Sequence, residues 1–585
     1  MVRRYSNLVL VIFFTSAFSL LNNAVASKIE QNKQLDFDLI LAGGGLSTCS
    51  SMSVKNCAKN DFSTDDLTEV LYRFSDNDIK NFQSSSFYLS LTQQKKKNIN
   101  SLIGRIYSSK RELILTKSQV REKIKTAGLL NTYKNLSDDL YFALFDFFEF
   151  KQVDSVGLRK TEKVNLNYNV SLGSKNVYEA FYYSAKTKAK SKNKSRPTLI
   201  AITASSRDPF ESADFYLGVL EQFDANVLWL PLDMNLQQAI EEKRCESLEE
   251  IRNEHLLFNR ANIYPLRAQQ QYETCRNPEE LLRALKQADG IMFNGGDQSR
   301  TIAALTLKNG NASPFLSLLK QLNKQKQLVV AGTSAGTAVQ AGGDITGQIV
   351  PMLTNGAPES ALKRGAFKAI APSARCSETS LCDDSALQPG DLTYRSEGGT
   401  GLFPFGLLDT HFSERNREVR LSVFAYESKT RLGFGVDEAT ALAVNFLPNG
   451  DYELTVVGEN GVFVTDINQL PGNINQNPNK PNFVSGLAHF LNEGDVMTID
   501  RRGEVINAVF AKSSKRLNGF NRATNAMKLK GTWRANTAKF CGSQKPIKWH
   551  KFDAQFLLKA SEHTRFAKNL KRQCSYYALP YVISL

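Results

Sequence analysis

A serine hydroxyl attacks a carbonyl only when a neighbouring base takes its proton. In this chain of 585 residues, Ser334 stands where such an attack is practical, within Gly332-Thr333-Ser334-Ala335-Gly336. The pattern G-x-S-x-G has chemical meaning when the serine sits on a tight turn between a buried strand and a helix. Here it follows an apolar run at 327–331 and precedes a helical stretch. The small residues on each side let that turn fold back without a clash, and the amide of Ala335 is then placed to hydrogen-bond a developing oxyanion. A second glycine turn, Asn294-Gly295-Gly296-Asp297-Gln298, ends the apolar run at 290–293.

Five histidines could supply the base: His255, His411, His489, His550 and His563. His411 follows Gly406-Leu407-Leu408 and sits in Asp409-Thr410-His411-Phe412, a further strand end. The other four lie in helical or C-terminal segments away from apolar strand ends and read as exposed or structurally satisfied. An orienting acid is offered where the run 432–436 meets Asp437-Glu438, and residue types alone do not choose between the two carboxylates. The order serine, histidine, acid differs from the serine, acid, histidine order of α/β-hydrolases, so such a triad would be an independent solution on a different sheet. Beyond His411, Arg417 and Arg420 are three apart and share a helical face, with Arg415 some ~160° round from Arg417. Guanidinium forks suit a substrate carboxylate, while Asp409 and Glu414 suit a cationic group, so the set fits a zwitterionic ligand.

Elements of the right kind are present to position these residues. Strand-like runs at 198–203, 226–230, 290–293 and 327–331 alternate with helical segments at 211–223, 278–287, 300–307 and 315–322. Alternation of this kind predicts an α/β fold with a mostly parallel sheet and ligands at the carboxyl ends of its strands. An earlier strand at 36–42 runs into Gly43-Gly44-Gly45, a turn suited to close backbone approach but without a nucleotide-binding G-x-G-x-x-G pattern. From 61 to about 151 the periodicity turns helical, as in Leu67, Val70, Leu71 and Phe74 and again in Leu140, Phe142, Leu144 and Phe145. The cation-rich stretch 186–196 reads as a solvated linker. The predicted division is therefore a signal peptide at 1–26, the first strand and glycine turn of the catalytic domain at 27–49, and a mainly helical insertion with a basic linker at 50–196. The catalytic α/β core follows at 197–465 and a C-terminal extension at 466–585. That extension opens on an Asn/Pro-rich loop at 470–482 and includes a strand-like piece at 495–498.

Arg3 and Arg4, the apolar run 8–21 and Ala24-Val25-Ala26 form the three zones of a secretory signal, with the mature chain starting near Ser27. The run is shorter than the ~20 residues a spanning helix needs, so no membrane anchor is expected to remain after cleavage. Net charge is +15, with 42% hydrophobic and 22% charged residues, which excludes a disordered tail or a polytopic membrane protein and favours acidic, zwitterionic or cell-surface partners over nucleic acid. Eight cysteines in an exported chain suggest disulfides, and proximity pairs Cys49 with Cys57, Cys245 with Cys275, Cys376 with Cys382, and Cys541 with Cys574. None of the spacings is CxxC and no histidine lies at metal-ligand spacing from a cysteine pair, so neither metal nor cofactor is expected.

Taken in order, NGGDQ at 294–298, GTSAG at 332–336, DTHFSERNREVRL at 409–421 and GFGVDEATAL at 433–442 resemble the cyanophycinase family of serine peptidases, which is related to aspartyl dipeptidases. The resemblance covers roughly 36–45 and 197–465. It implies a doubly wound sheet like that of class I glutamine amidotransferases, often in a homodimer, and a Ser-His-Glu peptidase. The substrate it implies is cyanophycin, a polyaspartate backbone with arginine on each side-chain carboxyl, cut to β-Asp-Arg dipeptides. Position by position, the resemblance makes Ser334 the nucleophile, His411 the base and Glu438 the orienting acid. It gives Ala335 and one of Gly295 or Gly296 the oxyanion amides, and Gln298, Asp409, Arg415, Arg417 and Arg420 the substrate contacts. Thr410 replaces a glutamine common in the family, and Ile302 stands where a lysine can follow. Other readings of the same residues are an exported aspartyl dipeptidase-like or isoaspartyl exopeptidase, a hydrolase of another isopeptide, and a non-catalytic polymer-binding protein on the same scaffold.

Overall fold

The computed structural model describes residues 35–59, 61–63, 66, 69–108, 111–345, 347–373, 375, 387–467, 483–517 and 529–584. The signal segment, the Cys376–Cys382 pair, Leu67 and the Asn/Pro-rich loop lie outside them. The fold is mixed α/β, with parallel and antiparallel strands in two large sheets.

In the first sheet, Asn226–Leu230, Thr198–Ile202, Gly290–Phe293, Val329–Thr333 and Leu39–Ala42 run parallel in that spatial order. All but the edge strand Asn226–Leu230 are short apolar runs buried on both faces, which is the pattern parallel strands need. Their side chains alternate between two cores. Leu39, Leu41, Ile200, Ile202, Ile291 and Phe293 pack on one side with Leu285 and Leu319, while Ile40, Ala42, Leu199, Ala201 and Met292 pack on the other with Phe181 and Phe210. An antiparallel wing continues the sheet through Thr440–Phe446, Tyr452–Gly458, Val496–Ile499 and Val505–Val509.

The second sheet starts with Leu407–Thr410 parallel to Leu432–Val436 and continues antiparallel through Gly461–Asp466, Phe483–Asn492 and Cys574–Ser584. The last two lie beyond residue 465, as do Val496–Ile499 and Val505–Val509 of the first sheet, so the C-terminal segment supplies strands to both. Disulfides join Cys49 to Cys57, Cys245 to Cys275 and Cys541 to Cys574, as proximity predicts.

Two expectations are corrected. Leu71 and Phe74 belong to the strand Leu71–Phe74, paired antiparallel with Leu113–Thr116, and not to a helix. The reason is a period of two that the apolar count obscured: Tyr72 and Phe74 point inward while Arg73, between them, bonds Asp78 at 2.8 Å. Helices do form most of the remaining insertion, including Gln93–Ile106 and Asp138–Asp146, around an apolar cluster of Phe82, Ile99, Leu144 and Phe148. The basic stretch 186–196 is no solvated linker. Its first part completes the helix Leu172–Ser191, and three of its lysines neutralise aspartates buried at the starts of strands. Lys188, 3% exposed, reaches Asp38 at 2.7 Å and Asp36 at 2.7 Å, and Lys192 and Lys194 each reach Asp289 at 2.9 Å.

Removing one partner of a buried ion pair strands the other charge. Lys188→Ala, which leaves Asp38 at 1% exposure without that cation, is expected to cost about 3–5 kcal/mol in denaturant unfolding. A loss below about 1 kcal/mol would show that the pair behaves as a surface one.

Candidate active site

Ser334 sits between Val329–Thr333 and the short helix Ala335–Ala338 with φ 54° and ψ −113°. A side chain held at positive φ costs about 1–3 kcal/mol, and the packing around it must enforce the geometry. His411 follows Leu407–Thr410, also at positive φ, 46°. The Ser334 Oγ lies 2.9 Å from His411 Nε2, and His411 Nδ1 lies 2.8 Å from Glu438 Oε1. The choice between the two neighbouring acids is visible in their surroundings. Asp437 is fully buried and accepts from the Ser413 amide at 2.8 Å and from Arg534 at 2.7 Å, whereas Glu438 is partly open and turned toward the imidazole.

The glycine turn at 43–45 ties these three loops together. The carbonyls of Ala42, Gly43 and Gly44 receive the amides of Ser334, His411 and Ala439 at 3.0, 2.7 and 3.0 Å. A methyl group on Gly44 would lie 2.5 Å from His411 Nε2 and 3.0 Å from Ser334 Cβ. Burial holds the imidazole below its ordinary value of 6.5; the Glu438 hydrogen bond opposes this and the Arg415 charge adds to it. The ring is therefore neutral near pH 7 and can accept a proton.

Gly295 also approaches the serine closely, so that a methyl group in place of its hydrogen would lie only 3.3 Å from Ser334 Cβ. Its amide donates to the Tyr216 hydroxyl at 3.2 Å, while the amides of Gly296 and Ala335 have no acceptor among the described residues. Gln298 is buried and donates to the carbonyls of Leu353 at 2.7 Å and Thr354 at 3.1 Å.

The arginines divide by depth. Arg420 is 3% exposed and forms a two-pronged pair with Asp409, itself 1% exposed, at 2.7 and 2.5 Å. Arg417 is partly buried, 3.5 Å from Asp409, and donates to the Thr410 carbonyl at 2.5 Å. Arg415 is exposed and has no ion pair among the described residues. One carboxylate thus faces two guanidinium groups with a third nearby, and the surplus charge is positive. Asp409 and Glu414, expected to hold a cationic group, are engaged internally: Glu414 lies 3.4 Å from Arg534 and accepts from the Glu438 amide at 3.3 Å. Burial and the Asp437 charge push the Glu414 carboxyl up to about 7. Thr410 is buried with its carbonyl taken by Arg417, and Ile302 packs in an apolar cluster with Val339 and Met352.

Two supporting residues had no local signal in the sequence. Arg534 comes from the helix Thr532–Lys539, over a hundred positions past His411, and is recognisable only once the chain is folded. Asn460, which donates to the Glu438 carbonyl at 2.8 Å, lies in an ordinary-looking turn.

No family model matches the chain. It is 27% identical over 264 residues to a cyanophycinase of Trichormus variabilis (strain ATCC 29413 / PCC 7937), covering 45% of this chain and 72% of that protein. To a cyanophycinase of Synechococcus elongatus it is 28% identical over 220 residues, covering 37% of this chain and 55% of that protein. A solved structure described as a peptidase from an acI-B1 Actinobacterium is similar at 16% identity and a TM-score of 0.27, covering 50% of this chain and 86% of that one. The similarity to curated proteins is thus a loose relation to cyanophycinases over less than half of the chain.

An imidazole-activated serine reacts with fluorophosphonates. Mass spectrometry is expected to find the adduct on Ser334, with Gly44→Ala slowing labelling on the order of 10²-fold through displacement of His411. Unchanged labelling in Gly44→Ala would mean that the glycine turn does not hold the pair in register.

Proposed function

We propose that this chain is a serine-type peptidase that hydrolyses cyanophycin to β-Asp-Arg dipeptides through an acyl-enzyme on Ser334. The carrying observation is the hydrogen-bonded run from Ser334 to His411 to Glu438 on a strained turn at strand ends. The relation to proteins named cyanophycinase supports the substrate. The parallel strand order, with its reversal between Thr198–Ile202 and Gly290–Phe293, supports a doubly wound core like that of class I glutamine amidotransferases, split by the insertion at 50–196 and lengthened by 466–585.

In this reading the Ser334 Oγ attacks an aspartyl backbone carbonyl as its proton passes to His411 Nε2, and Glu438 stabilises the imidazolium. The amides of Ala335 and Gly296 hold the oxyanion; Gly296 is preferred over Gly295 because the Gly295 amide already donates to Tyr216. The C–N bond breaks as His411 returns the proton to the leaving amine. Water, deprotonated by His411, then cleaves the ester and restores the serine. Each arginyl arm of the polymer carries a free carboxylate, which the uncompensated Arg415 and the partly buried Arg417 are placed to bind. Gln298, Asp409 and Arg420 contribute by shaping that surface from beneath, and Thr410 by its backbone.

The three disulfides fit an oxidising compartment, and no described helix is long and apolar enough to cross a membrane. Export through a signal at 1–26 is part of the proposal and suits a polymer that forms granules too large to import.

Washed cyanophycin granules incubated with the protein are expected to release β-Asp-Arg, identified by mass spectrometry, while Ser334→Ala releases none. Cleavage of soluble aspartyl peptides without release from granules would retain the peptidase and remove the polymer. Because His411 must be neutral to act and its pKa is lowered, activity is expected to persist as pH falls and to be lost at a midpoint below 6.5. Arg415→Gln removes a charge that depresses the imidazole pKa, so it should move this midpoint upward in a pH–rate profile. A downward shift or none would show that Arg415 does not act on His411 through charge.

A further inference from the structure

Between the insertion and the core lies an open pocket of about 370 Å³ that the peptidase site does not use. We propose that it is a binding site for a guanidinium-tipped side arm, and, resting on the reading above, an accessory subsite for the arginyl arms of the polymer away from the scissile bond. The insertion contributes Tyr72 and aromatic residues around it, while the core contributes Arg207, Asp208 and Glu211 from the segment that follows Thr198–Ile202.

The charges do not cancel inside. Arg207 is taken by Asp146 through two bonds of 2.7 Å. Arg260, 1% exposed behind the wall, is taken by Asp208 at 2.6 Å and Glu149 at 2.7 Å. Lys117 lies over the Phe145 ring at 4.5 Å. Glu211, at the mouth, has no ion pair or side-chain hydrogen bond among the described residues. Desolvation by the surrounding chain, then the charges of Asp208 and Glu149, push its carboxyl up to about 7, and a bound cation would oppose that shift. Tyr72 is only 8% exposed, lines the same cavity, and its hydroxyl has no partner among the described residues. A hydroxyl on a buried tyrosine and a solvent-open carboxylate, neither held by a protein partner among the described residues, are free to accept from a donor-rich cation that enters the pocket. A guanidinium brings five N–H donors in one plane, which suits an acceptor pair better than a hydrated ammonium does.

The location suits a polymer. The loop leading to Asp208 carries Ser205 and Ser206; the Ser205 carbonyl accepts the Asp297 amide at 2.8 Å, and the Ser206 hydroxyl accepts from Asn294 at 2.6 Å. The cavity is thus one loop away from the Gly295–Gly296 turn beside Ser334. It also gives the insertion a role, since the insertion supplies the aromatic wall.

Isothermal titration of the full-length mature protein with agmatine, a guanidinium arm without a carboxylate, tests the site apart from any peptidase activity. Saturable one-site binding is expected, weakened at least ~10-fold by Glu211→Gln through loss of a charge-assisted bond, weakened less by Tyr72→Phe, and unchanged by Ser334→Ala or by Glu273→Gln on an exposed helix. No saturable binding, or binding that Glu211→Gln leaves intact, overturns the proposal. If agmatine binds as expected while granules release nothing, the cavity stands and only its assignment to this polymer falls.

Discussion

The arrangement of Ser334, His411 and Glu438 hangs on three consecutive carbonyls. Ala42, Gly43 and Gly44 each accept an amide from a different loop, those of Ser334, His411 and Ala439. The loops belong to different strands in two different sheets, so no single element could fix their separation. A shared acceptor row does so, because each hydrogen bond sets one loop's distance from the same short stretch of backbone. The row works only if nothing projects from it. A side chain on Gly44 would displace the imidazole, and one on Gly45, at φ 56°, would come within 2.8 Å of the Glu438 side chain. The first strand therefore functions less as a sheet filler than as the jig on which the site is assembled.

That jig needs backing from behind His411, and the C-terminal segment provides it. Asp437, fully buried, would carry an uncompensated charge without Arg534 at 2.7 Å, and a stranded buried charge is among the costlier defects a fold can hold. The same segment docks Thr532 on Asn416 at 2.8 Å and leaves Gly531 no room for a side chain against Ser413. The loop between His411 and the helix Glu418–Glu427 is thereby clamped from outside the region that resembles known peptidases. Residues beyond 465 thus bear on the position of His411 although none of them carries a motif.

What the sequence made legible follows the range of the interactions concerned. Strands such as Gly290–Phe293 and Leu432–Val436 were readable to the residue, because a buried strand is a local apolar run between turn residues. The serine turn was readable because small residues must flank it. The depth of the arginines was not: Arg415, Arg417 and Arg420 are equivalent as letters, and only the folded position of Asp409 makes Arg420 a buried structural partner and leaves Arg415 open. The lysines at 186–196 misled for the same reason. Their solvated appearance came from composition, while their partners, Asp38 and Asp289, lie about a hundred residues away or more. Charge that pairs across such distances has no signature in a window of sequence.

The distribution of unpaired charge then bears on the ligand more than any single residue does. Near Ser334 the surplus is cationic, since one buried carboxylate faces Arg417 and Arg420 while Arg415 stands free. Across the loop 203–208 the surplus is anionic, with Glu211 and the Tyr72 hydroxyl lining an open pocket without a protein partner among the described residues. A simple aspartyl peptide offers carboxylates to the first region, and its one terminal ammonium lies too close to them to reach the second. A chain whose every repeat carries both a carboxylate and a guanidinium can satisfy both at once, provided that it is long enough to cross the loop between them. Two such surfaces separated by one loop accord with the proposed repeating zwitterionic substrate better than with a small zwitterion, whose opposite charges travel together.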